Sequence, residues 1–330
     1  MADLVLLDED YRVHATICGR EPAISTDHAA RYRLPTVARE GPVVAMEIII
    51  VGSAREAAII AADCFEHLLS GTDRPVIGLA TGNSPLPTYR ELIERYRNRR
   101  LSFARTRVFL LDEYVGLDQE HPQSCRSVIR RELLDHVDAP EGAMVVPECV
   151  PPDPATSADA TKPRDVATSA DVTKPRDPAT SADAYERCIA DAGGIDLQLL
   201  GIGRNGHIGF NEPPSSLGSR TRLTTLASAT RKDNAHCFDH DPEKVPRQGI
   251  TQGVGTILDS RHAVLLATGE AKSEAIARAV EGPVTAMLPA SALQLHPRST
   301  IIVDEAAGQL LVHADCYREA YRNKSARHHI

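Results

Sequence analysis

The stretch IDLQLLGIGRNGHIGFNEP, residues 195–213, carries the reading of this chain. Its apolar start, residues 195–200, has the length and flanks of a buried strand. It runs into a turn with glycines at 201, 203, 206 and 209. In an open α/β sheet the ligand lies beyond the carboxyl ends of the strands, so a glycine-rich loop that follows a strand is where chemistry is expected. Glycines let the backbone turn through positive φ and come close to a ligand. The groups that could act there are Asn205, His207, Asn211 and Glu212. An imidazole needs a partner on one ring nitrogen to fix its tautomer, and a nearby carboxylate both orients it and favours its charged form. Taken by itself the stretch also reads as a structural turn with a stray histidine, because one glycine pattern is a weak signal.

Upstream, the alternation of strand, small-residue turn and helix recurs. MEIIIV (46–51) reads as a strand, Ser53 as an N-cap, and AREAAIIAADCFEHLL as a helix that closes near Gly71. PVIGLA (75–80) is a second strand, leading through TGNSP (81–85) into the helical LPTYRELIERY. Free N–H groups and the helix dipole make such a junction an anion site, with Gly82 permitting close approach and Ser84 adding a hydroxyl. A routine βα loop is the alternative. TRVFLLD then ends in Asp112, Glu113 and Tyr114. A carboxylate at the carboxyl end of a strand faces the ligand side, which makes Asp112 a candidate general base; the competing roles are a cap or a partner for Arg126. Ser124 is placed to cap the amphipathic helix CRSVIRRELLDHV.

Downstream, residues 213–238 are rich in Ser, Thr and Arg and read as a partly helical lid over a charged substrate, or else as an exposed helix with solvated arginines. HAVLLAT (262–268) is a further strand, followed by GEAKSEAIARAVEG. Lys272 falls in the first turn of that helix, where a cation opposes the dipole, so an anionic ligand explains it better than helix stability does. PASALQLHP and STIIVDEAAGQLL supply a last strand and helix.

Composition narrows the classes. A chain of 330 residues with net charge −8 and no tryptophan argues against a nucleic-acid or membrane-surface binder. No apolar run reaches the roughly 20 residues of a membrane span. Seven scattered cysteines without a CxxC pair suggest reduced thiols in the cytoplasm, with neither a disulfide framework nor a metal site. Residues 1–45 lack a sustained period and read as an N-terminal extension, or as residues ahead of a true start at Met46. Residues 151–183 hold PATSADATKPRD, VATSADVTKPRD and PATSADAYERC at a twelve-residue period, read as a flexible low-complexity insertion made by tandem duplication.

Taken together, LATGNSPLPTYREL, FLLDEYVGL, LLGIGRNGHIGFNEP, SRTRLTTL and TGEAKSEAIARAVEG resemble the signature set of the glucosamine-6-phosphate deaminases, also called isomerases. The resemblance runs in order from about Met46 to Asp304, broken only by the insertion. It implies one Rossmann-like, doubly wound α/β domain over residues 46–330, with a mostly parallel sheet, helices on both faces and a lid segment. Members are often oligomeric. They convert D-glucosamine 6-phosphate and water to D-fructose 6-phosphate and ammonia without metal or organic cofactor, in N-acetylglucosamine catabolism. By position, Asp112 matches the enolisation base and His207 the ring-opening acid/base, supported by Glu212 and Asn205. Gly82, Asn83 and Ser84 match the phosphate loop, and Lys272 a phosphate-binding lysine.

Several positions depart from the family pattern. Asn205 stands where some members carry Asp, so His207 should depend more on Glu212. His236 stands where similar members have Arg; a histidine holds phosphate well only when protonated. Cys125 replaces a tyrosine common after DEYVGL, with no evident catalytic consequence. Ser215, Ser216 and Arg222 resemble positions of an allosteric site for N-acetylglucosamine 6-phosphate, but Thr224 replaces its lysine, which argues against activation. The competing functions are a 6-phosphogluconolactonase, opposed by IGFNEP after His207, and a sugar-phosphate sensor without turnover.

Overall fold

The computed structural model describes residues 46–147 and 178–324. The expected extension at 1–45 and the insertion as far as residue 177 lie outside the described residues. In chain order the elements are β1 (Glu47–Val51), α1 (Ala54–Gly71), β2 (Val76–Leu79), α2 (Leu86–Arg97), β3 (Arg107–Leu110), β4 (Asp112–Tyr114), α3 (Cys125–Glu132) and β5 (Met144–Val145). After residue 177 come α4 (Pro178–Asp191), β6 (Leu197–Leu200), β7 (Arg222–Thr225), α5 (Ser228–Asn234), β8 (Gln248–Thr251) and α6 (Val254–Leu258). The last are β9 (Ala263–Ala267), α7 (Ser273–Glu281), β10 (Ser299–Asp304), α8 (Glu305–Gly308) and α9 (Ala314–Arg322).

Seven strands form one sheet in the order β1-β10-β9-β6-β2-β3-β5, and every pairing in it is parallel. Parallel strands need both faces covered, and the side-chain alternation shows that they are. In β9, Val264 and Leu266 join the cluster that holds Phe65, Tyr89 and Leu92, whereas Ala263, Leu265 and Ala267 join Ile276 and Leu293 on the opposite face. This is the doubly wound α/β fold that the alternation of elements implies. Helix starts follow the expected chemistry. Ser53 accepts a hydrogen bond from the Glu56 N–H, and Ser124 accepts one from the Ser127 N–H.

Three elements differ from the sequence reading. Asp112 does not extend β3 but begins β4, which pairs antiparallel with β8. Residues 222–225, expected within a lid, form β7 on the other side of β8. That small sheet bends the chain away from the parallel sheet at the residue where chemistry is expected. Residues 178–183, expected within the insertion, instead open α4, where Ser181 and Ala182 are buried. The third repeat copy is set apart by its continuation: Tyr185 and Ile189, at helical spacing, anchor it against Val76 and Phe109.

Candidate active site

β2 and β6 are neighbours, yet the chain proceeds from β2 outward to β3 and β5, and from β6 outward to β9 and β10. A crevice opens where two such halves diverge. It holds a cavity of about 350 Å³. The β2 loop lines it with Gly82, Asn83 and Ser84, and the start of β4 with Asp112. His207 enters from the glycine-rich loop, His236 from the turn after α5, and Lys272 from the turn before α7. A larger cavity of about 560 Å³, bounded by Arg126, Met144 and Tyr185, gathers none of these groups.

The histidine is set by its neighbours. Glu212 is buried and accepts a 2.7 Å hydrogen bond from Asn205 Nδ2. A carboxylate only accepts, so the amide nitrogen must face Glu212 and the amide oxygen must face His207. His207 Nδ1 lies 2.7 Å from that oxygen and therefore carries the proton, which leaves Nε2 for a substrate. Glu212 Oε2 is also 3.5 Å from Nδ1. Thr230 donates its hydroxyl to Glu212, and the Ala227 N–H adds a bond at 3.3 Å. Burial raises the Glu212 pKa, but the His207 partner, Thr230 and Asn205 outweigh it and bring the carboxyl down to about 2. Gly203 permits this arrangement, since a Cβ there would lie 2.1 Å from the imidazole. Asn211, named in the sequence as a candidate, is fully buried and bonds the Ile208 and Gln252 carbonyls; it holds the loop and does not face the cavity.

Adjacent carboxylates at the end of β3 have opposite surroundings. Glu113 accepts from the N–H groups of Tyr114, Cys125 and Arg126, which caps α3. Asp112 is buried and accepts from the Cys125 thiol at 3.4 Å. Burial pushes its pKa up to about 7, opposed by that thiol and assisted by the Glu113 charge. Arg126, considered as its partner, gives its backbone N–H to Glu113 and its guanidinium to Gln119.

Gly82 turns with φ +98° at the mouth of α2, whose N-cap, Pro85, makes no side-chain cap bond. Lys272 Nζ donates to the Ile202 carbonyl at 2.7 Å, and burial lowers its pKa. His236 Nδ1 is 2.7 Å from the Asp233 carbonyl, so that nitrogen is the donor. Lys272, His236 and the loop residues line the same cavity as Asp112. Ser215, Ser216 and Arg222 do not line the cavity. Arg222 donates to Asn211 and to Ser215, Ser215 donates to the Glu212 carbonyl, and Ser216 is exposed.

A family model described as glucosamine-6-phosphate isomerases/6-phosphogluconolactonase matches residues 52–302. The chain belongs to this family. A relative named glucosamine-6-phosphate deaminase, from Streptomyces avermitilis, is 47% identical over 279 residues, covering 84% of this chain and 98% of the relative. A solved structure described as a monomeric glucosamine-6-phosphate deaminase is 35% identical, with TM-score 0.70 over 80% of this chain and all of that one. The 6-phosphogluconolactonase of Trypanosoma cruzi, at 23% identity and TM-score 0.58, covers 81% of this chain and 97% of its own, and shares the fold.

Within this family fold, the structure places at the site four groups to which the sequence assigned no site role. Thr230 lies behind Glu212 and Cys125 against Asp112, while Arg131 and Tyr114 line the cavity. Each comes from a helix or short strand whose approach depends on packing, so no spacing in the sequence marks it.

Proposed function

We propose that this protein is a glucosamine-6-phosphate deaminase, converting D-glucosamine 6-phosphate and water to D-fructose 6-phosphate and ammonia. The observation that carries the reading is that Asp112 and His207, its Nδ1 set by Asn205, line one cavity together with Gly82, Asn83, Ser84 and Lys272. The extended identity to deaminases supports it.

In this scheme Gly82, Asn83, Ser84, Lys272 and His236 hold the phosphate, which fixes the sugar carbons near Asp112. His207 Nε2 moves a proton between the anomeric hydroxyl and the ring oxygen, opening the ring to the aldehyde. Asp112 removes the C2 proton, and the resulting enolamine is protonated at C1. Water then replaces ammonia at C2. A base works best with a pKa near the operating pH, which the value of about 7 at Asp112 supplies. The setting is the cytoplasm, supported by five unpaired thiols among the described residues.

The test is release of ammonia and fructose 6-phosphate from glucosamine 6-phosphate by purified protein in EDTA. Equimolar products are expected. Substrate binding without either product overturns the reading in favour of a sensor, and hydrolysis of 6-phosphogluconolactone in its place overturns it in favour of a lactonase.

A further inference from the structure

We propose that Cys125 is a positioning residue for the Asp112 base, its thiol holding the carboxylate in the orientation that meets the substrate. The inference rests on the deaminase reading and adds a residue to it. Among the described residues the Cys125 thiol is the hydrogen-bond donor that reaches the Asp112 side chain, at 3.4 Å. The neighbouring carboxylate shows the contrast, since Glu113 takes three backbone N–H groups.

The direction of the bond follows from what surrounds the sulfur. Cys125 is the first residue of α3 and 2% exposed. Burial, with the Glu113 and Asp112 charges beside it, keeps its pKa well above the usual thiol value, so it carries a proton to donate. A thiol has one proton, and Asp112 receives it. The hydroxyl of Thr81, 3.6 Å from the same sulfur, is then the donor to sulfur. Thr81 adjoins Gly82, so a short chain of contacts runs from the proposed phosphate loop through Cys125 to the base.

A weak donor suits this place. A carboxylate beside an imidazole and further donors is brought down and is a poor base, as Glu212 illustrates at about 2, whereas Glu113, with three N–H groups but no such partner, is still raised by burial. A buried carboxylate with no donor would rise further and have nothing to fix its torsion. The other titratable groups around Asp112 are Glu113 on its own strand, Tyr89 from α2, Tyr114 from β4, Tyr185 from α4 and His207 across the cavity. Burial keeps the three tyrosines neutral through the working range.

The test is kcat against pH from 5.5 to 9 for wild type, Cys125→Ala and Cys125→Ser. Removing the donor moves the acid limb of Cys125→Ala upward by about half to one pH unit, lowering its rate at pH 6 about three- to tenfold further than at pH 9. The serine hydroxyl is the stronger donor and moves the limb downward; it carries the test alone if the alanine variant fails to fold. Unmoved limbs in folded variants overturn the proposal, even where both plateaus fall, because lost packing lowers a plateau without shifting a limb. An inactive wild type would instead refute the deaminase reading.

Discussion

Replacing Asp112 by asparagine separates the carboxylate's chemistry from its shape. Asparagine keeps an oxygen that can accept from Cys125 but cannot take a proton from carbon. Loss of a general base costs about 10²-fold or more in kcat, or at least about 2.7 kcal/mol in the barrier. KM should change little, because in the proposed scheme other groups hold the phosphate. The same substitution should stabilise the fold. Asp112 rises from its ordinary 3.8 to about 7 because ionising it inside the protein is unfavourable. Between those values the folded state keeps a proton that the unfolded state has lost, so stability falls as pH rises and stops falling above about 7. Integrated, the charge costs about 4 kcal/mol at pH 8 and about 2 kcal/mol at pH 5. The asparagine variant carries no such cost, so at pH 8 its Tm should exceed wild type by about 10 °C, narrowing as the solution is acidified. In wild type, kcat should rise about tenfold from pH 6 to pH 8 as Asp112 ionises. Calorimetry across pH beside steady-state kinetics measures both. Wild-type turnover in the variant, or a variant no more stable than wild type at pH 8, would refute the assignment of Asp112 as a buried base.

Lys272→Ala should raise KM about 10- to 100-fold, the worth of one charge-assisted bond to phosphate, with kcat within about threefold; an unchanged KM removes the lysine from the phosphate site. Glu212→Gln keeps the shape but not the charge that supports His207, so kcat should fall about tenfold or more while substrate binding persists. Stability should report the same group: ionised Glu212 contributes fully above its ordinary 4.5, and that contribution is lost as pH falls through about 2, a loss that acid titration of the glutamine variant should not show. Deleting residues 154–177 should leave activity within about twofold, because the copy beginning at Pro178 builds α4; a large loss would show that the earlier copies are needed.

The strands and the site loops were legible because they follow from simple periods. β2, β6 and β9 are short apolar runs buried on both faces, and the groups expected to act stand at their carboxyl ends or just beyond. The small sheet was not legible. β7 is RLTT, half-exposed along its length, and its Ser, Thr and Arg surroundings read as a lid helix until β8 supplies the partner. The start of α4 was hidden for another reason. PATSADA is nearly the same in all copies, so composition alone does not mark the copy at 178–184 as the start of a helix. The contact between Cys125 and Asp112 spans 13 residues and depends on where Glu113 anchors α3.

Three carboxylates, Asp112, Glu113 and Glu212, are buried around this cavity, and their side chains differ far less than their tasks. What separates them is what stands beside each: the imidazole and its donors lower Glu212, whereas burial raises Glu113 even against three N–H groups and raises Asp112 against one thiol. Glu212 has Asn205, Thr230 and the Ala227 N–H beside the imidazole, so it stays charged and gives His207 a fixed negative partner. Glu113 is occupied by three backbone N–H groups, and moving its proton would uncap α3. Asp112 alone of the three is buried with one weak donor, which is the condition for a carboxylate to gain and lose a proton near neutral pH. The backbone bend that starts β4 at Asp112 therefore has a chemical consequence. It places the two neighbouring acids on different sides of the strand, so that one meets the α3 amides and the other meets the cavity.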